Sequence, residues 1–376
     1  MKINYYLLIL AILFCSCSSI KLREGLIINE KDDWLGIGRD KEKTNISNPD
    51  SALNPPFEKI WNFNTDAAFS RNALAVSDGV LFASCLDGNI YAINMKNGSG
   101  IGKASTKSKS SFSNPLILKN ILIFAFSDGY SNYITGYDFI SGKFKWKKTT
   151  EKIMSSPIAK DESVFFSTTK GNVYEIDCKD GKYIRKYVND SPFLTSPSIC
   201  SEMMIIGDIH GKLLAFDITN GELKWSYKTG DGIYTDVSIF NGKIFFGSDD
   251  RNFYCLDTNG NLVWEKFLDT KFLSSSTFYN DNVICAGVNG KVYSLNISTG
   301  EVTWEYETRG AITASPVLNK DKLFIGSYDM YFYCIDANRG KVLWKYNLDE
   351  RIRTSAIIWK NYIIVANDDK SIYCFQ

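Results

Sequence analysis

Ile312-Thr313-Ala314-Ser315-Pro316 leads through Lys322-Leu323-Phe324-Ile325-Gly326-Ser327 to Tyr331-Phe332-Tyr333-Cys334-Ile335-Asp336. A turn, Ala337-Asn338-Arg339-Gly340, and a further segment, Lys341-Val342-Leu343-Trp344-Lys345-Tyr346, complete the unit. Its apolar runs are short and continuous, as in strands buried on both faces, and the glycine supplies the positive φ of a tight hairpin. The unit recurs. An acid or amide closes the third strand at Asn94, Asp138, Asp177, Asp217, Asp257, Asn296 and Asp336, at intervals of 44, 39, 40, 40, 39 and 40 residues. One more step of 40 reaches Gln376, the last residue.

Four strands per unit, repeated eight times, predict an all-β, eight-bladed β-propeller of four-stranded antiparallel blades. The eighth copy stops after its third strand, at Ile372-Tyr373-Cys374-Phe375-Gln376. The missing outer strand is present near the other end, as Phe57-Glu58-Lys59-Ile60-Trp61-Asn62-Phe63. Residues 57–63 are therefore expected to pair with 371–375 and close the ring, which hides the edges of the first and last sheets.

Working outward, residues 1–16 read as a secretory signal: a short basic start, an apolar run from Leu7 to Phe14, then small residues. The run is too short to span a bilayer as a helix. Cys17, between Ser16 and Ser18, resembles the lipidation point of bacterial lipoproteins; a plain signal with incidental cysteines is the alternative. The organisation expected is thus a signal at 1–16, a lipidated tether at 17–56 containing Trp34, and the propeller at 57–376.

The seven cysteines after Cys17 contain no Cys-x-x-Cys pair, which argues against a zinc ribbon, and their odd number against a disulfide framework. Lys plus Arg is 43 against 42 Asp plus Glu, which disfavours a nucleic-acid binder acting through a bulk basic field. His210 is the only histidine, so no site needs two imidazoles. No phosphate loop, nucleophile elbow or EF-hand spacing occurs.

The pattern Asp87-Gly88-Asn89-Ile90-Tyr91-Ala92-Ile93-Asn94, repeated as Asn289-Gly290-Lys291-Val292-Tyr293-Ser294-Leu295-Asn296 and followed by a Gly turn and Trp, resembles the repeat of pyrroloquinoline-quinone (PQQ)-like propellers. In that family the Trp docks on the next blade. The resemblance implies this role for Trp61, Trp146, Trp225, Trp264, Trp304 and Trp344, and looser junctions where Gly102 and Arg185 replace it. Quinone-dependent dehydrogenases of the superfamily are longer, carry adjacent cysteines and hold calcium. This chain has neither insertions nor such a pair in the ring, so no cofactor, metal site or catalytic residue is expected. It is more similar to the exported BamB-like lipoproteins of the outer-membrane barrel-assembly machinery. That implies a non-catalytic protein-binding scaffold, lipid-anchored to the cell envelope and facing the periplasm from the outer membrane. A small-ligand or quinone binder, an enzyme subunit, or a polysaccharide or surface-partner module are the alternatives. The candidate binding face is the loop rim bearing Asp208, His210, Asp249, Asp250, Arg309, Asp329, Arg351 and Arg353, for which turn chemistry alone is the competing explanation.

Overall fold

A computed structural model describes residues 19–47, 53–106 and 110–376. The segment expected as a signal, and Cys17, lie outside the described residues. The described chain holds eight four-stranded antiparallel sheets, one of them extended by a fifth strand, and no helix. In ring order, blade 1 spans 69–104, blade 2 116–150, blade 3 158–188, blade 4 198–228, blade 5 238–267, blade 6 277–307 and blade 7 317–347. Blade 8 joins 357–375 to the early strand Lys59–Asn64. There Trp61 stands opposite Cys374 and Asn62 opposite Tyr373, so the ring closes as expected.

The second strand of each blade is buried almost throughout, as in Leu323–Ile325 and Ile363–Ala366. In blades 4 and 6 the outermost strands alternate between exposed and half-buried positions. Cys255, Cys334 and Cys374 occupy equivalent buried places, and burial pushes each thiol up to about 12, so they serve as small apolar core residues.

The blade junctions follow one chemistry. The indole N–H groups of Trp61, Trp146, Trp225, Trp264 and Trp304 donate to Met95, Cys178, Thr258, Ile297 and Ala337 carbonyls, all at 2.9–3.0 Å. Each ring lies on the turn glycine of the following blade, Gly98, Gly181, Gly260, Gly300 or Gly340, where a Cβ would meet it at under 3 Å. Positive φ and this close approach both require glycine. Trp344 docks in another way, through its ring, edge-on to Phe57 at 5.2 Å and to Phe375 at 5.5 Å.

The two junctions without Trp are not left open. Arg185 lies over Gly221, and its guanidinium donates to the Ile218 and Thr219 carbonyls at 2.5 and 2.8 Å. At Gly102 the filler comes from elsewhere in the chain. Ser19 and Ile20 pack so closely on Gly102 that a Cβ there would meet the Ile20 backbone at 2.9 Å. Ile20 is fully buried, its carbonyl accepts from the Tyr137 hydroxyl, and Leu22 N–H donates to Phe139 O at 2.7 Å. The expectation of looser junctions fails because a bidentate cation and a borrowed isoleucine occupy the same sockets.

Candidate functional site

The segment expected as a tether is, over 33–47, built into the ring. It travels around the channel at the end nearest the turns between first and second strands. Trp34 exchanges two backbone bonds with Val76 of blade 1, and Leu35 O accepts from Ile117 of blade 2. Lys41 O, Glu42 O and Asn45 O accept from Ile199, Ile239 and Leu318 of blades 4, 5 and 7. Ile46–Ser47 then adds a parallel fifth strand to blade 7. Asn45 Nδ2 donates to Ser275 Oγ and Ser276 O of blade 6, and the Trp359 indole of blade 8 donates to Asp33 Oδ1. Seven inner strands are engaged. At blade 3 the segment turns at Gly38 and Arg39, both at positive φ, and Ile37 packs with Ile158 and Phe165 beside a cavity of about 410 Å³.

Above this floor a belt of hydrogen bonds circles the channel. Asn114 N–H donates to Ser156 Oγ, Ser156 N–H to Ser196 Oγ, and Ser196 N–H to Asp236 Oδ1. Across the ring, Ser275 N–H donates to Ser315 Oγ, Ser315 N–H to Ser355 Oγ, and Ser355 Oγ to Asn72 Oδ1. At five of these junctions the later repeat's polar side chain accepts from a backbone N–H of the repeat before it. Asp236 is the ionisable member, and the 33–47 segment meets it. Lys43, with no exposed side-chain surface, lies 3.5 Å from Asp236 and donates to Ser196 O at 2.6 Å. Burial pulls the Lys43 ammonium down to about 8 against the opposing pull of Asp236.

The other end of the channel is a funnel of about 190 Å³. One side is apolar, with Phe112, Met154, Leu194 and Leu273; the other carries Arg71 and Arg353. Arg71 is partly buried, and the loss of solvent lowers its affinity for a proton; its Nη1 donates to Leu273 O at 2.6 Å. Arg353 forms a fork with Asp368 at 2.6 and 2.7 Å, and Arg351 lies 3.6 Å from the same carboxylate and over the Tyr328 ring.

Of the eight rim residues singled out above, the side chains of Arg351 and Arg353 converge on one group, Asp368, while within the set Asp208 and Asp329 meet only the backbone N–H of His210 and Arg309. Asp208 is fully buried and accepts from the His210 and Lys212 N–H groups and from Asn189. Asp250 accepts from Gly230 and Asn252 N–H and the Tyr254 hydroxyl; Asp329 accepts from Arg309 and Tyr331 N–H and the Tyr333 hydroxyl. These acids organise their own loops. Asp249 pairs with Lys271 at 2.5 Å, and exposed His210 bonds Ser191 through Nδ1. Arg71, Asp236 and Lys43 were missed. The funnel residues could have been found by sliding the Ile312-Thr313 register back along the repeat, since Met154, Leu194, Tyr234, Leu273, Thr313 and Arg353 share one place in it.

A quinone with calcium does not fit these residues. The funnel is smaller than the usual 300–1,000 Å³ of ligand sites, and its arginines already bond to protein oxygens. Among the described residues no three His, Cys, Asp or Glu side chains are grouped to hold a metal ion. No helix among them is long and apolar enough to cross a membrane.

Comparison with known proteins agrees with the repeat. A family model described as outer membrane protein assembly factor BamB matches residues 52–187, 210–314 and 308–376. Tetrathionate hydrolase of Acidithiobacillus ferrooxidans is 25% identical over 223 residues, 56% of this chain and 41% of that protein. The assembly factor BamB of Shewanella oneidensis is 20% identical over 201 residues, 44% of this chain and 50% of that one. The matched regions thus span half or less of these relatives. Among solved structures, BamB from Moraxella catarrhalis superposes with a TM-score of 0.74 at 15% identity, covering 85% of this chain and 99% of that one. Quinohemoprotein alcohol dehydrogenase from Comamonas testosteroni gives 0.78 at 13% identity, covering 93% and 81%. At such identities the superpositions speak for the fold. With the family model covering most of the ring, the chain belongs to the BamB family of PQQ-like repeat β-propellers.

Proposed function

We propose that the protein is an exported, non-catalytic scaffold, lipid-anchored through Cys17 in the outer membrane and facing the periplasm, that holds protein partners during outer-membrane protein assembly. The observation that carries this reading is the apolar character of the unpaired outer strands. In blades 3 and 5 these strands expose Tyr183, Ile184, Val188, Leu262, Val263 and Phe267, with Val188 at 63% and Phe267 at 60% of full exposure. An edge strand with exposed apolar side chains is a template for adding a partner's strand, and soluble proteins normally blunt such edges. A client rich in unpaired β-strands, such as a barrel protein before insertion, fits it.

The test is a photo-crosslinker placed at Phe267 in the native envelope. Recovery of the barrel-insertion protein or its clients supports the scaffold; recovery of sugar-handling proteins alone would overturn it. A second reading, a small organic ligand in the funnel, is favoured by the apolar wall facing Arg71 and Arg353. Calorimetric titration with quinone and calcium separates the two. No saturable heat is expected, and saturation at micromolar ligand would favour the second reading.

A further inference from the structure

The basic charge is unevenly placed. Residues 96–152 carry ten lysines and three acids, in a chain whose net charge is +1, so the remainder is acidic overall. The outer strand of blade 2, Lys143–Thr150, reads Lys-Phe-Lys-Trp-Lys-Lys-Thr-Thr, and Lys143, Lys145 and Lys147 are exposed. Among the described residues none of these three has an ion-pair partner. The amino-terminal segment reaches the ring at the same corner. Ser19 and Lys21 lie against Gly142, one residue before Lys143, where a Cβ would meet them at 3.2 and 3.3 Å. Lys21 and Arg23 are exposed beside it. Cys17 is two residues before Ser19, a reach of no more than about 7 Å.

We propose that the outer face of blade 2, with Lys21 and Arg23, rests on the anionic headgroups of a lipid bilayer. Two independent features point to the same occupant. Lys143 and Lys145 carry no ion-pair partner among the described residues and Lys147 lies over the Tyr133 ring, giving a cationic surface that anionic lipid attracts at short range. The described chain begins at Ser19 against that surface, at the junction of blades 1 and 2, so an anchor at Cys17 would hold this corner of the ring next to the membrane. A single acyl chain binds a membrane only weakly, and a basic patch beside it adds a second contact. The contact also sets orientation: the outer strands of blades 4 to 6, across the ring, are held away from the bilayer.

The full chain, with its anchor, is partitioned between vesicles of phosphatidylcholine alone and of phosphatidylcholine mixed with phosphatidylglycerol. The anchor contributes to both, and the lysines only to the second. Reversing Arg23, Lys143 and Lys145 to Glu is expected to leave neutral vesicles unaffected and to weaken binding to anionic ones by more than about 100-fold, since removing the three charges alone gives about five-fold each. Gln at the same positions gives a smaller loss, and an unchanged melting temperature shows that the ring is intact. Reversing Lys224, Lys228 and Lys266 on blades 4 and 5 is the control for net charge. Equal partition of the wild type between the two vesicles would overturn the proposal. So would an equal loss in the control, or an acidic protein as the sole crosslinked neighbour of Lys143. Failure here leaves the Phe267 crosslinking experiment, and the scaffold reading, untouched.

Discussion

Blades 4 to 7 and blades 1 to 2 are the same repeat completed in two ways. Between blades 4 and 7, each outer strand supplies its own Trp to the next blade's turn glycine, as Trp264 does with Gly300 and Ile297 O. Between blades 1 and 2 the outer strand has Gly102, and Ile20, eighty-two residues earlier, fills the place beside Gly142. The socket is common to both; the plug is local in one and imported in the other. Imported packing ties the amino-terminal segment to the ring at a defined corner, which no local Trp could do.

The largest effect should come from the local plug. Trp264→Ala removes a buried indole and its hydrogen bond and is expected to cost about 3–5 kcal/mol, read by chemical denaturation. A loss below about 1 kcal/mol would mean that the junctions do not depend on the docked ring. Ile20→Ala should cost about 2–4 kcal/mol, with amide exchange accelerating at Leu22 and Phe139 rather than across the ring. Gly102→Trp sharpens the comparison, because the new ring competes with Ile20 for one socket. Trypsin should then cut after Lys21 and Arg23 while blades 4 to 7 stay protected, and an uncut segment would show that the socket holds both.

Arg185→Ala should lie between these extremes and the surface baseline, at about 1.5–3 kcal/mol for a charged donor serving two carbonyls. A pH dependence is expected from Lys43. Its proton affinity is lowered on folding, so the unfolded chain holds more protons between about pH 8 and 10.5, and stability contributed by this group rises with pH across that window. Below pH 8 the cost of burying the charge is fully present. Lys43→Met should flatten this rise relative to the wild type in thermal melts taken across the window. An unchanged slope would place the ammonium in solvent.

How much could be read in advance follows from the range of the interactions. The 40-residue beat, the turn glycines and the split eighth blade are local or periodic signals, so eight sheets and their closure at Trp61 and Tyr373 were legible. The loop acids illustrate the opposite case. Asp208, Asp250 and Asp329 recur with the repeat and looked like a rim, yet each is taken up by N–H groups of its own and the adjoining loop. A repeated acid in a turn is explained by the turn.

Chain order was enough to specify the blades because each is a set of neighbouring strands whose apolar runs and hairpins act over a few residues. Folding alone could bring Lys43 to Asp236, Ile20 to the Gly102 socket, and Arg71 across the channel to Leu273. Those partners are far apart in sequence, occur once, and obey no period. Their pairing depends on the curvature of a closed ring, which sets a channel just wide enough for one polar strand to satisfy the inner edges of seven blades.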